Sequence, residues 1–141
     1  MLVQRHRVDI RAGKPGRYLS VFALDEIAKH LKGIPNHVYT NTLDRGAVAG
    51  NHFHRRKREA MVCVAGELDL YLREVGDDGS LGPLEVLKLT PSVQGYDMVL
   101  VLPMVAHAVV NHTGMSATLL VFATDAPRYK GDDFEALVFE R

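Results

Sequence analysis

Apolar residues in this chain come in short runs separated by turn residues, and this most restricts what it can fold into. Leu68, Leu70 and Leu72 alternate with Asp69, Tyr71 and Arg73, the period of a strand with one face buried and one in water. Ala60 to Ala65 is apolar on both faces, as in a strand covered on both sides. Val38 to Leu43, Leu84 to Leu89, Met98 to Leu102, Ala108 to Asn111 and Ala117 to Thr124 are further strand candidates. Gly76 to Ser80 and Asn111 to Gly114 supply turn chemistry between them. Short strands at this spacing predict an all-β barrel or sandwich. One helix is expected near the N-terminus: Asp25 caps it, Ile27, Ala28 and Leu31 share a face, and Gly33 and Pro35 stop it. The segment from Tyr129 to Phe139 reads equally as a short helix or an edge strand. No internal repeat is visible.

Composition excludes several classes. With 141 residues the chain suits one domain. Basic and acidic residues both number 17, so no net charge draws it to nucleic acid or an anionic membrane. The single cysteine, Cys63, excludes an internal disulfide framework and a multi-cysteine zinc site, and reads as a small buried apolar residue. The longest apolar run, Met98 to Ala106, is broken by Pro103 and falls short of the roughly 18 residues of a membrane span. The charges among the first twenty residues break any signal core. A cytoplasmic protein is expected.

The chemistry concentrates between Gly46 and Gly66, in the pattern G-x5-H-x-H-x4-E-x6-G. Residues two apart on a strand point the same way, so His52 and His54 should project into one cavity. Arg55 to Arg58 is too charged for a buried strand and reads as a turn. Glu59 should then open the next strand, antiparallel to the first, with its carboxylate facing the imidazoles and Met61, Cys63 and Ala65 on the same inward side. Two histidines and a carboxylate suit a divalent transition metal such as Zn, Fe, Mn or Ni. His107, after a hydrophobic run and Pro103, is the candidate fourth ligand. Tyr39 is a candidate proton donor, Arg45 and the basic turn including Arg56 candidate anion-holding groups. His6, His30, His37 and His112 lack a partner pattern and read as surface or structural.

This pattern resembles the two motifs of the cupin superfamily. The first is matched without a gap at Gly46, His52, His54, Glu59 and Gly66; the second only in part, at Pro103, His107 and Asn111, with Asp97 at its first glycine position and no inner glycine. The resemblance spans about residues 38–124 and implies a jelly-roll β-barrel in a single domain that pairs as a homodimer. More narrowly, Gly50 to His54 with Lys57 and Glu59 is similar to the C-terminal cupin domain of capsule sugar-nucleotide reductases and epimerases. Pro103 to His107 and Ala126 to Phe134 resemble small sugar-nucleotide ketoisomerases. In those enzymes a histidine of the His-x-His pair is the proton shuttle and needs no metal, a role that falls by position on His52 or His54. An arginine and a tryptophan usual there are Ala49 and Ala106 here. Glu59, completing a ligand set, favours the metal reading.

The resemblance thus implies an enzyme that isomerises or epimerises a sugar or sugar nucleotide, with a metal on His52, His54, Glu59 and His107, His54 and Tyr39 acting in catalysis, and Arg45 and Arg56 holding the substrate. An Fe(II) dioxygenase, a metal-free ketoisomerase and a non-catalytic ligand-binding cupin are the alternatives.

Overall fold

The computed structural model describes residues 2–92, 94–124 and 130–141. In chain order the elements are β1 (Gln4–Lys14), β2 (Arg17–Ser20), α1 (Leu24–Leu31), β3 (His37–Leu43), β4 (Val48–Phe53), β5 (Glu59–Ala65), β6 (Leu68–Glu74), β7 (Glu85–Leu89), β8 (Gly95–Val101), β9 (Val105–Val110), β10 (Ala117–Ala123) and β11 (Phe134–Glu135). They form a six-stranded sheet, β2-β1-β8-β5-β10-β3, and a five-stranded sheet, β11-β4-β9-β6-β7. The strand pairs are all antiparallel. This is the expected jelly-roll barrel, with Leu68, Leu70 and Leu72 of one sheet packed inside against Met61, Cys63, Val99, Val101, Leu119 and Val121 of the other.

Strands that read as apolar on both faces are those whose outer face is also covered. Ala60 and Val62 of β5, Met98 and Leu100 of β8 and Phe122 of β10 turn outward and are sealed by Ile27 and Leu31 of α1. Each such side chain larger than alanine contributes about 2 kcal/mol by leaving water. On the other sheet, Ala106 and Ala108 of β9 are covered by Phe53 and by Val138 of the C-terminal tail. β6 has no such cover over Asp69 and Arg73, and its alternation stays plain.

Several sequence expectations need correction. β1 and β2 lie ahead of the span assigned to the barrel, and β1 pairs with β8 over residues 4–9. Asp25 is not the helix cap: Ala23 holds that position without a side-chain bond, and Asp25 lies in the first turn, where its carboxylate accepts from its neighbour Glu26 N–H. The left-handed residue ending α1 is Lys32, and the following Gly33 N–H donates to Ala28 O. The tail carries a two-residue edge strand, β11, paired with β4; Tyr129 and residues 126–129 of the segment likened to ketoisomerases lie outside the described residues. Ala65 is exposed rather than inward. Finally, β4 and β5 do not pair: they belong to opposite sheets, because β5 finds its partners in β8 and β10 and β4 in β9. The Arg55–Arg58 turn therefore crosses from one sheet to the other, and Glu59 faces the histidines across the barrel.

Candidate functional site

The site begins with a kink in β4. Gly50 and Asn51 both have positive φ, 101° and 59°, and the β4–β9 register slips between Gly50 and His52. Gly50 is required there: a Cβ would stand 2.7 Å from His107 O, at a φ that other residues rarely adopt. Beyond the slip His52 pairs with His107, and their Nε2 atoms are 3.1 Å apart. His54 follows the strand and is buried; its Nε2 lies 3.3 Å from Glu59 Oε1. The same Glu59 oxygen is 3.5 Å from His107 Nε2. One donor nitrogen from each of His52, His54 and His107 falls within 4.8 Å of the others.

Each imidazole is held from behind. His107 Nδ1 donates to Val105 O at 3.0 Å, His54 Nδ1 to Asp132 O at 2.6 Å, and His52 Nδ1 faces Asp133 Oδ1 at 2.9 Å. Carbonyls and carboxylates only accept, so the Nδ1 atoms carry protons and the Nε2 atoms are left to meet one another and Glu59. Glu59 divides its oxygens. Oε2 accepts from Tyr39 Oη at 3.2 Å and lies 4.0 Å from Lys57 Nζ. Oε1 and His54 Nε2 are buried without a hydrogen-bond partner among the described residues.

The electrostatics follow from burial and these neighbours. Burial would raise the Glu59 carboxyl, but His54, His107 and Lys57 overcome it and hold it at about 2. Burial pushes His107 down to about 4. His52 is lowered by burial and by His54. His54 is raised, because Glu59 and Asp132 O outweigh its burial. Burial and the Glu59 charge push Tyr39 well up, so it stays a neutral donor.

The three converging imidazoles, with Glu59 Oε1 against two of them and left without a hydrogen-bond partner among the described residues, fit a divalent transition ion. The nitrogen and oxygen donors, with Nδ1 atoms anchored behind, are the pattern such ions need.

The other singled-out residues fall variously. Arg56 is exposed in the turn next to the site. Arg45 is exposed in the β3–β4 turn, at the far end of β4 from His52. Asn111 is a clamp: its side chain donates to Leu43 O and Met115 O and accepts from Thr113. The motif's absent inner glycine is met by Met104, which takes the positive φ of 65° itself, pinned by its N–H to His54 O. Cys63 is buried, its thiol pushed up to about 11 by burial. Sequence reasoning assigned nothing to Asn51, Asp132 or Asp133; the only signal was their place within segments likened to other families. A cleft of about 550 Å³ opens beside the site, lined by Gly50, Asn51, His52, Asp133, Glu135, Ala136 and Leu137. Of the three histidines only His52 lines it.

No curated protein matches the chain by sequence. Among solved structures, the sugar 3,4-ketoisomerase QdtA from Thermoanaerobacterium thermosaccharolyticum, in complex with TDP, superposes with a TM-score of 0.73 at 19% identity, over 94% of this chain and 87% of that one. A 3,4-ketoisomerase from Helicobacter canadensis gives 0.73 at 14% identity, over 95% and 90%. The capsular polysaccharide assembling protein CapF from Staphylococcus aureus gives 0.56 at 19%, over 71% of this chain and 28% of its own length. At these identities the likeness speaks for the cupin fold. The sequence model of the polysaccharide biosynthesis C-terminal domain matches residues 23–133, most of the chain including β3 to β10 and every histidine of the site, and the chain therefore belongs to that family.

Proposed function

We propose that the protein isomerises a keto sugar carried on a nucleoside diphosphate, moving a carbonyl group to the neighbouring carbon. The observation that carries this reading is the meeting of His52, His54, His107 and Glu59 at one end of a barrel. Support comes from the shared fold of the ketoisomerases QdtA and its Helicobacter counterpart.

The reaction is a proton shift through an enediol. A base takes the C–H proton from the hydroxyl-bearing carbon while an acid protonates the carbonyl oxygen. The former hydroxyl then loses its proton, and the former carbonyl carbon gains one, so no net proton is consumed. His52 is the base at Nε2: it is neutral at pH 7 by the direction of its shift and alone among the site histidines lines the cleft. His54, which Glu59 and Asp132 O raise against its burial, is the acid that serves the oxygen. Tyr39 keeps Glu59 in place through its hydroxyl. His52, His54, Glu59 and His107 would also hold a divalent transition ion (Zn, Fe, Mn or Ni), which when bound supplies Lewis acidity toward the substrate's oxygens. The anionic diphosphate falls to Arg56 and Lys57, on the turn beside the site, rather than to Arg45 at the other end of β4. The reading includes a single cupin domain working as a cytoplasmic homodimer.

A metal-free second reading is favoured by one feature: the raised His54 against the ionised Glu59 is already an acid and its counter-ion. The test is direct. TDP-4-keto-6-deoxyglucose is incubated with the purified protein in D2O, with and without prior chelation, and followed by NMR. A new keto sugar carrying deuterium at the former carbonyl carbon is the expected product. Turnover that survives removal of all metal selects the second reading. No exchange and no product with this or other nucleotide-linked keto sugars overturns both.

A further inference from the structure

Residues 130–141, beyond β10, are built into the site. Its backbone is locked at two places. The Asp132 carboxylate accepts from the N–H groups of Arg55, Arg56 and Lys57 at 2.8 to 3.2 Å. Charge-assisted bonds of this kind are among the strongest a chain can make. The Asn51 side chain accepts from Val138 N–H and Phe139 N–H and donates to Phe139 O. Phe134 adds a stacked contact on Phe53, centroids 5.2 Å apart. Between these locks stands Asp133, whose carboxylate meets His52 Nδ1 at 2.9 Å.

Asp133 is 69% exposed and His52 26%, so their attraction is too weak to hold the tail in place. The dependence runs the other way: the tail, held by Asp132 and Asn51, delivers a carboxylate to the back of the one site histidine that lines the cleft. We infer that Asp133 is the positioning residue of His52, holding its proton on Nδ1 and thereby keeping the Nε2 lone pair on the point shared with His107. This rests on the reading of His52 as part of the working site. His54 and His107 give their Nδ1 protons to backbone carbonyls. His52 gives its Nδ1 proton to a side chain, so this is the Nδ1 contact that truncating its acceptor removes directly.

The experiment compares the wild type with Asp133→Ala and Asp133→Asn, the latter keeping an acceptor oxygen. Two readouts are taken. Long-range 1H–15N correlation spectra of metal-free protein report which nitrogen of His52 bears the proton. Competition with a chromophoric chelator reports Zn(II) affinity. The wild type should show His52 protonated on Nδ1; Asp133→Ala should give mixed tautomers and bind Zn(II) about 10–100-fold more weakly, and Asp133→Asn should recover most of both. An Asp133→Ala protein with an unchanged His52 tautomer overturns the inference. If the wild type binds no Zn(II), the metal reading has failed, and the tautomer comparison still decides the role of Asp133. Circular dichroism confirms that the variants are folded, as expected for a change at an exposed position.

Discussion

At the scale of single residues, Glu59 shows how one side chain acquires two jobs. Oε2 is satisfied by Tyr39 and lies near Lys57, while Oε1 is left facing two imidazoles. Removing only the phenol hydroxyl, as in Tyr39→Phe, should take away one bond to a buried charged group. We expect a loss of about 1.5–3 kcal/mol in urea unfolding with turnover lowered far less than by His52→Gln or His54→Asn. Equal losses from all three variants would give Tyr39 a direct part in the chemistry. Cys63 tests burial by itself. With its thiol near 11 rather than 9, the native thiolate fraction at pH 8 is about 100-fold below that of the unfolded chain. Alkylation by iodoacetamide should be slower by at least that factor in buffer than in urea. His52, His54 and Glu59 were legible from spacing, because period two and a charged turn are local properties. Asp133 was not, since it follows the site in sequence by some eighty residues and only the folded tail brings it back.

At the scale of elements, the barrel strands were legible where an inner apolar face alternated with an outer polar one. β1 was missed although Arg5, Arg7, Asp9 and Arg11 alternate with His6, Val8 and Ile10. Its charges hid a strand that pairs with β8 along one edge. The pairing of β4 with β5 was expected from adjacency in sequence, yet β3, β4, β5 and β6 alternate between the two sheets, a choice made by long-range partners. The kink in β4 has a direct test. Gly50→Ala forces a Cβ against His107 O, and we expect a loss of about 2 kcal/mol or more with Zn(II) affinity falling alongside. Retention of both would show that the slip does not depend on the glycine. α1 is tested by Leu31→Ala, whose side chain is fully buried against the outer face of the six-stranded sheet. A cost of about 2–5 kcal/mol is expected, read from the denaturation midpoint, with the ligand geometry inside the barrel left intact.

At the scale of the whole molecule, the site is where the two sheets and the tail come together: His52 and His107 on one sheet, Glu59 and Tyr39 on the other, Asp132 and Asp133 on the tail. Anything that binds this junction only in the folded state must stabilise all three at once. Zn(II) at one hundred times its dissociation constant should add about 2.7 kcal/mol to unfolding, and chelation should remove it. A melting temperature indifferent to both additions argues for a barrel that works without metal. The all-β class, the barrel core and the first candidate site residues could be read from the chain itself, because alternation, turn chemistry and the G-x5-H-x-H-x4-E-x6-G spacing act over a few residues. Only long-range pairing put β4 and β5 face to face across the interior, His107 beside His52, and the C-terminal tail against His52 and His54. Those contacts join residues far apart in the chain, and they depend on strand pairing and on buried polar groups finding partners, which no local pattern encodes.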